Sequence, residues 1–474
     1  MSIIGREREQ DVLQTCLQSD RPEFLAVYGR RRVGKTYLIK EYFNNRFSFY
    51  ATGVYGVKTR AQLKVFHESL REYGSSEKVV PKDWFEAFSR LKEIILSPSV
   101  KRDVISGKKV VFLDELPWMD TARSDFKSAL EYFWNSWASS QKDLLLIVCG
   151  SATSWIIENL LASRGGFYNR ITRQIFLQPF SLKECDELYR SSGISLSNRQ
   201  LLESYMIFGG IPYYLTCMDR RLSLAQNVEE LCFKTGGQLY YEYDHLFRSL
   251  FRNAEKHMAI LNAISKKSSG TTRTELAGNS SIGDGEPLTK ALRELEQCGF
   301  IRKYRNFTKK KSEYYFQLID PFTLFSIHFL NERNINSWLS YLDSPGYYAW
   351  SGYAFELVCL LHTKQIKTAL GISGVESMEY SWQSKKSSPG AQIDLLIDRK
   401  DDVINVCEMK FSQQEYAIDA AYEKQLRNKM SVFREETSCR KALHLTMITA
   451  DGIRRNEHSG IVINEITGKD LFRF

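Results

Sequence analysis

Apolar residues along this chain follow two rhythms. FLAVYG (24–29), VVFL (110–113) and LLLIVCGS (144–151) are short unbroken runs, each closing on a small or polar residue. Such runs predict strands buried on both faces, the signature of a parallel sheet covered by helices. The longer stretches between them space their apolar residues by three and four, as helices that pack one face do. The first part of the chain therefore reads as an α/β layer structure.

The rhythm then changes. EKHMAILNAISK (255–266) reads as a helix, and TRTELAGNSSI (272–282) as a second after a Ser/Gly turn. PLTKALRELEQCGFI (287–301) reads as a third, with Pro287 near its first turn and Gly299 just past its end. Two β-prone runs follow, IRKYRNF and EYYFQLI. Three helices and a hairpin predict a winged helix, with the third helix as DNA reader and the hairpin as wing. PFTLFSIHFLNERNINSWLSYL (321–342) reads as an aromatic-rich helical connector.

Further on, GYAFELVCLLHTKQIKTAL (352–370) has helical spacing with one acid, Glu356, among apolar neighbours. AQIDLLIDR alternates, so that Ile393, Leu395 and Ile397 face one way and Asp394 and Leu396 the other. A short turn leads to VINVCEMKF, where Glu408 and Lys410 are two apart and share a face. QEYAIDAAYEKQLRNKMSVF (414–433) reads as a helix with Gln425 in its middle.

Two of these places carry chemistry. Gly29, Gly34, Lys35 and Thr36 complete G-x-x-x-x-G-K-[ST] between a strand and a helix. There the loop N–H groups and the helix N-terminus point at phosphates, Lys35 reaches the β/γ oxygens and the Thr36 hydroxyl takes Mg²⁺. At the end of VVFL, Asp114 would hold Mg²⁺ and Glu115 would polarise the attacking water. Ser151 ends the next strand, where it either touches the γ-phosphate or water, or caps the following helix. The second place is the hairpin. Asp394, Glu408 and a backbone carbonyl offer hard oxygens for Mg²⁺, and Lys410 suits orienting or deprotonating a water. Glu356, a buried acid in need of a partner, joins them as a further metal ligand or a structural acid.

Composition narrows the class. The chain has 474 residues, 43% of them hydrophobic and 26% charged, which suits several globular domains. No apolar run is long enough to span a bilayer, and the charged start MSIIGREREQDV lacks a signal-peptide core. The nine cysteines are scattered without a CxxC pair. They are expected as reduced thiols of a cytoplasmic protein without a zinc site. The net charge is +9, and residues 301–311 hold six basic residues and no acid, with Tyr304 and Phe307 interleaved. That patch, including Lys309, Lys310 and Lys311, is either a phosphate-contacting wing or a solvated hairpin tip.

IIGREREQDVL, the loop at 29–36, FLDELPW, CGSATSW, FYNRITRQIFLQPFS and FGGIPYYL, in that order, resemble the AAA+/STAND-like P-loop ATPases of archaeal type, over residues 1 to about 245. The resemblance implies ATP and Mg²⁺ as cofactors, IGRE (4–7) near the adenine, and GGIPYYL in a small helical lid. It also implies Arg170 near the phosphates or a neighbouring subunit, although that arginine alone is equally readable as the partner of a core carboxylate. The hairpin segment resembles the PD-(D/E)xK restriction-endonuclease-like fold and the C-terminal domain commonly fused to archaeal-type ATPases. The proline of that motif is absent, since Ile393 precedes Asp394.

The expected architecture is α/β multidomain. A P-loop parallel-sheet core spans 1–180, a helical lid 181–250 and a winged helix 251–320, with a connector helix and a restriction-endonuclease-like domain over 321–474. The expected function is ATP binding and hydrolysis joined to a nucleotide-regulated, Mg²⁺-dependent DNA nuclease. The alternative is a STAND-type switch or DNA-binding regulator whose C-terminal domain is inactive. Expected partners are DNA and further copies of the chain through the ATPase region, with no membrane.

Overall fold

The computed structural model describes residues 3–162, 167, 169–251, 253–279, 281–307, 314–331, 337–384 and 391–473. The chain forms two compact units, Met1–Gln178 and Pro179–Phe474.

The first unit is built on five strands: β1 (Glu23–Tyr28), β2 (Phe49–Thr52), β3 (Lys109–Asp114), β4 (Leu144–Gly150) and β5 (Arg173–Phe176). All pair in parallel in the order β2-β3-β4-β1-β5. β1, β3 and β4 are buried at every position, which is why they appear in the sequence as unbroken apolar runs. Phe24, Val111 and Leu146 pack with Trp84, Phe88 and Phe126 in one large core cluster. Asp114 and Gly150 close adjacent strands at the same edge of the sheet, the edge at which β1 runs into the 29–34 loop and the helix Lys35–Tyr42.

The second unit starts with helices Leu182–Ser191 and Asn198–Phe208, each opened by a capping box, Ser181 with Glu184 and Ser197 with Gln200. Shorter helical pieces follow up to Glu242–Leu250. Next come helices Ala254–Ser265, Arg273–Ala277 and Glu286–Gln297, with strands β6 (Thr271–Thr272), β7 (Ile301–Arg305) and β8 (Tyr314–Leu318). These strands form an antiparallel sheet in the order β6-β8-β7. The helix expected over 272–282 is confined to Arg273–Ala277: Thr272 lies in β6 and caps it, and Gly278, a poor helix former, follows it.

The last part holds strands β9 (Ser377–Gln383), β10 (Gln392–Arg399), β11 (Val403–Lys410), β12 (Tyr416–Ala417), β13 (Ala442–Thr449), β14 (Ile453–Arg454) and β15 (Asn464–Thr467). The main sheet runs β15-β13-β11-β10-β9, antiparallel from β9 to β11 and parallel from β11 to β15. The helix Ala420–Thr437 links β11 to its parallel neighbour β13. It begins later than the pattern over 414–433 suggests, because β12 takes Tyr416 and Ala417 and Asp419 caps the helix. The stretch 352–370 is two helices, Pro345–Leu361 and Thr363–Ala369, broken at His362. Of the connector over 321–342, Pro321–Leu330 is helical, and 332–336 lie outside the described residues.

The basic patch is only partly open to solvent. Arg302 donates to Gln317 Oε1 at 2.6 Å and to Ser381 Oγ of β9 at 3.3 Å. Phe307 packs on Phe433 and Tyr380, with ring centres 5.2 and 5.3 Å away. These two side chains tie the β6-β8-β7 sheet to the C-terminal sheet, and Lys303 and Arg305 lie over the ring of Tyr314. Lys309, Lys310 and Lys311 lie outside the described residues. All nine cysteines are free thiols and seven are buried. Among the described residues no helix is long and apolar enough to cross a membrane.

Candidate functional site

In the first unit the glycine loop is shaped by two requirements. Gly29 has φ 146°, and a Cβ there would stand 2.4 Å from the Leu177 carbonyl oxygen, so only glycine fits. Gly34 has φ 91° and forms the N-cap of Lys35–Tyr42. The Lys35 ammonium folds back over the loop and donates to the carbonyls of Gly29 at 2.9 Å and Arg30 at 2.8 Å. Thr36 Oγ1 donates to the Asp114 carboxylate, 2.9 Å from Oδ2 and 3.1 Å from Oδ1. Arg6, buried, donates to the Val33 carbonyl and so ties IGRE to the loop.

Glu115 follows Asp114 in the left-handed region at φ 46°, a conformation that costs a non-glycine residue about 1 kcal/mol or more and persists only where its surroundings hold it. The holders are visible. Its amide donates to Asp114 Oδ1 at 3.0 Å. Its carboxylate accepts the Ser151 hydroxyl on Oε1 at 2.5 Å and the Ser151 amide on Oε2 at 3.1 Å. Ser151 therefore does not cap the next helix, Thr153–Ile156, whose N-cap is Ala152 with no side-chain cap bond; its hydroxyl is spent on Glu115. Arg170 is exposed in the turn before β5 and makes no ion pair among the described residues, so it is no partner of a core carboxylate.

Oxygen donors from two elements, Thr36 and Asp114, thus meet beside a lysine and a helix N-terminus. Hard oxygens next to an anion-binding loop fit Mg²⁺ carried with a nucleotide.

The second unit gathers a different set. The β9–β10 register slips between Ile393 and Leu396, a bulge that contains Asp394. The slip breaks the expected alternation, because Ile393 and Leu396, three apart, lie in the same apolar cluster. Bulges of this kind re-aim a side chain. Asp394 Oδ1 accepts from Gln392 Nε2 at 2.5 Å. Burial and the nearby Glu408 raise the Asp394 pKa, against the opposing pull of Gln392 and two lysines. Glu408 lies on the face of β11 that carries Ile404 and Val406, under the helix Ala420–Thr437. Lys410 shares that face, 3.3 Å from Glu408 Oε1.

Glu356, on the helix Pro345–Leu361, lies within electrostatic reach of the same group. Burial, then the Asp394 and Glu408 carboxylates, push its pKa up to about 9. Its Oε2 is buried without a hydrogen bond. The four residues Glu356, Asp394, Glu408 and Lys410 are therefore electrostatic neighbours.

Two further residues belong here that the sequence reading passes over. Lys429 Nζ donates to Glu408 Oε2 at 2.6 Å, and the Tyr422 hydroxyl donates to Oε1 at 2.6 Å. Burial raises the Glu408 pKa, but Lys429, Lys410 and Tyr422 outweigh it and the net shift is downward. The signal in the sequence was the stripe Tyr422, Leu426, Lys429, Phe433, spaced by four and three, in which one lysine interrupts an apolar face. Gln425, the mid-helix residue noted from the pattern, is exposed. The acids suit a divalent cation in kind but not in placement. Among the described residues no group of three His, Cys, Asp or Glu side chains is arranged to hold a metal ion, and both Glu408 oxygens are already bonded to Lys410, Lys429 and Tyr422.

Residues 3–218 match the family model described as an ATPase domain predominantly from Archaea. A curated relative, an uncharacterized protein of Methanocaldococcus jannaschii, is 26% identical over 340 residues, 69% of each chain. Among solved structures, the Walker-type ATPase of Pyrococcus abyssi is similar at 20% identity and TM-score 0.47, covering 69% of this chain and 96% of that one. The Aeropyrum pernix ORC2 protein is similar at 13% identity and TM-score 0.43, covering 69% and 93%. The family match and the geometry of the 29–36 loop with Asp114 and Glu115 together support P-loop ATPase function, of the archaeal type, for this part of the chain.

Proposed function

We propose that the first unit binds ATP with Mg²⁺ and hydrolyses it. The carrying observation is the convergence of Lys35, Thr36, Asp114, Glu115 and Ser151 at one edge of the parallel sheet. The loop amides and the start of helix Lys35–Tyr42 cradle the phosphates, and Lys35 exchanges its loop carbonyls for β/γ oxygens. Thr36 and Asp114 hold Mg²⁺, which when bound supplies charge neutralisation on the phosphates. Glu115 takes a proton from the attacking water as its oxygen bonds to the γ-phosphorus and the bond to the ADP oxygen breaks. Ser151 holds that carboxylate in place. Arg170, exposed, is free to meet the phosphates of a neighbouring copy, so ATP is expected to promote self-association. Release of phosphate from ATP by the full chain, with sedimentation measured with and without ATP, tests this. No turnover above background refutes the hydrolysis, and an unchanged mass refutes the assembly.

A second reading is favoured by one observation, the meeting of Glu356, Asp394, Glu408 and Lys410 in the second unit. We infer that this cluster acts on a phosphodiester, with DNA as substrate and ATP state as regulator. The three-helix and hairpin segment before it then serves as a winged helix, and the sheet β9 to β15 as a nuclease-like domain. Cleavage of plasmid and linear DNA in Mg²⁺ or Mn²⁺, with and without ATP, tests it against Asp394→Ala, Glu408→Ala and Lys410→Ala. No cleavage by the wild type, or equal cleavage by the Asp394 variant, leaves an ATP-driven switch with an inactive C-terminal domain.

A further inference from the structure

Strand β7 reads Ile-Arg-Lys-Tyr-Arg and carries three bases and no acid. Alternation puts Arg302 and Tyr304 on one face and Lys303 and Arg305 on the other. The first pair is committed to packing, since Arg302 bonds Gln317 and Ser381 and lies 5.0 Å from the Tyr304 ring centre. Lys303 and Arg305 are exposed. Among the described residues neither makes an ion pair. Both cations lie instead over the ring of Tyr314, 4.0 and 4.7 Å from its centre. A ring face holds a cation in place without neutralising it, so β7 offers two fixed positive charges to solvent.

The third helix, the expected DNA reader, is a poorer electrostatic match. Glu286–Gln297 holds three acids, Glu286, Glu294 and Glu296, against two bases, Lys290 and Arg293. Lys290 lies 3.9 Å from Glu294, and Glu296 is within electrostatic reach of Lys303 without pairing with it. A phosphate backbone is repelled by an excess of acids and attracted by unpaired bases. β7 also adjoins the C-terminal cluster. Just past its end, Asn306 bridges to Ser381 of β9, and the Ser381 hydroxyl donates to the Asp394 carbonyl of β10 at 2.6 Å. The three residues form one row across neighbouring strands. Two strand spacings, about 10 Å, therefore separate the end of β7 from Asp394.

We propose that Lys303 and Arg305 on β7, and not the third helix, bind the backbone phosphates of duplex DNA and bring it alongside the C-terminal cluster. The proposal rests on the second reading above, in which DNA is the substrate. Arg305 suits two oxygens of one phosphate and Lys303 a point contact. Neither contact needs a divalent cation.

The test is binding of a fluorescein-labelled duplex by the full chain, read by anisotropy at a series of salt concentrations in EDTA, so that no metal-dependent cleavage intervenes. Lys303→Gln with Arg305→Gln removes two phosphate contacts and is expected to make the slope of log affinity against log salt shallower by about 1.8. The exchange Lys303→Arg with Arg305→Lys keeps both charges and is expected to keep the wild-type slope. Lys290→Gln with Arg293→Gln, on the third helix, is expected to leave it unchanged as well. An unchanged slope in the β7 glutamine variant overturns the proposal. A loss confined to the third-helix variant also overturns it and leaves DNA as the substrate of the second reading. No duplex binding by the wild type at low salt removes both. Binding that follows β7 in a chain that cuts no DNA upholds the surface and removes the phosphodiester chemistry.

Discussion

Replacing Glu115 by glutamine tests the ATPase reading at a single atom. The carboxylate accepts two bonds from Ser151, the hydroxyl on Oε1 and the amide on Oε2. A glutamine keeps both contacts: its carbonyl accepts the amide N–H and its NH₂ donates to the hydroxyl oxygen, which accepts as well as donates. The left-handed backbone at 115 and the Glu115 amide bond to Asp114 are untouched. Thr36 and Asp114 bond each other, and the substitution removes neither of them nor Lys35, so nucleotide affinity should stay within about twofold of the wild type. What disappears is the base. A positioned general base is worth about 10²- to 10⁴-fold, or about 2.7 to 5.4 kcal/mol in the barrier. The assay pairs steady-state phosphate release with equilibrium binding of a fluorescent ATP analogue. Hydrolysis at the wild-type rate shows that Glu115 is not the base. Loss of binding along with turnover shows that its contacts, not its basicity, matter.

Lys35→Ala should weaken ATP binding or abolish turnover, because it removes the cation placed to meet the β/γ-phosphates; unchanged titration and turnover would sink that role. Gly29→Ala should also lose nucleotide binding, since its Cβ would stand 2.4 Å from the Leu177 carbonyl oxygen; wild-type affinity would show that the loop tolerates a shift. A fourth expectation concerns pH. His362 accepts the Leu182 amide on Nε2 at 3.1 Å and stacks edge-on with Tyr205, and burial pushes its pKa down to about 4 from 6.5. A depressed histidine is neutral in the fold, so the unfolded chain takes up the proton first and stability falls as pH drops below 6.5. Between pH 7.5 and 5.0 this amounts to about 2 kcal/mol. The penalty of His362→Gln in urea unfolding should therefore be smaller at pH 5.0 by about that amount; equal penalties at the two pH values would refute it.

The positions of Gly29 to Thr36 and of Asp114 and Glu115 are readable in the chain because everything that defines them is local. A buried parallel strand needs an unbroken apolar run, a tight loop needs glycine, and both motifs sit where a run ends. The shared face of Glu408 and Lys410 is readable for the same reason, since alternation on one strand settles it. What the pattern leaves open depends on residues far apart in sequence. The Ser151 hydroxyl is paired with Glu115 rather than a helix end because β3 and β4 are neighbours in the sheet. Asp394 leaves its expected alternation because the pairing with β9 slips by one residue there. Arg302 and Phe307 turn to packing because β7 and the residues just after it lie against β9. Lys429 reaches Glu408 only once the helix Ala420–Thr437 has crossed over the sheet. Periodicity and local turn chemistry lie in the sequence itself, whereas register, bulges and the burial of a charge are set by which element comes to lie against which, and only the folded chain decides that.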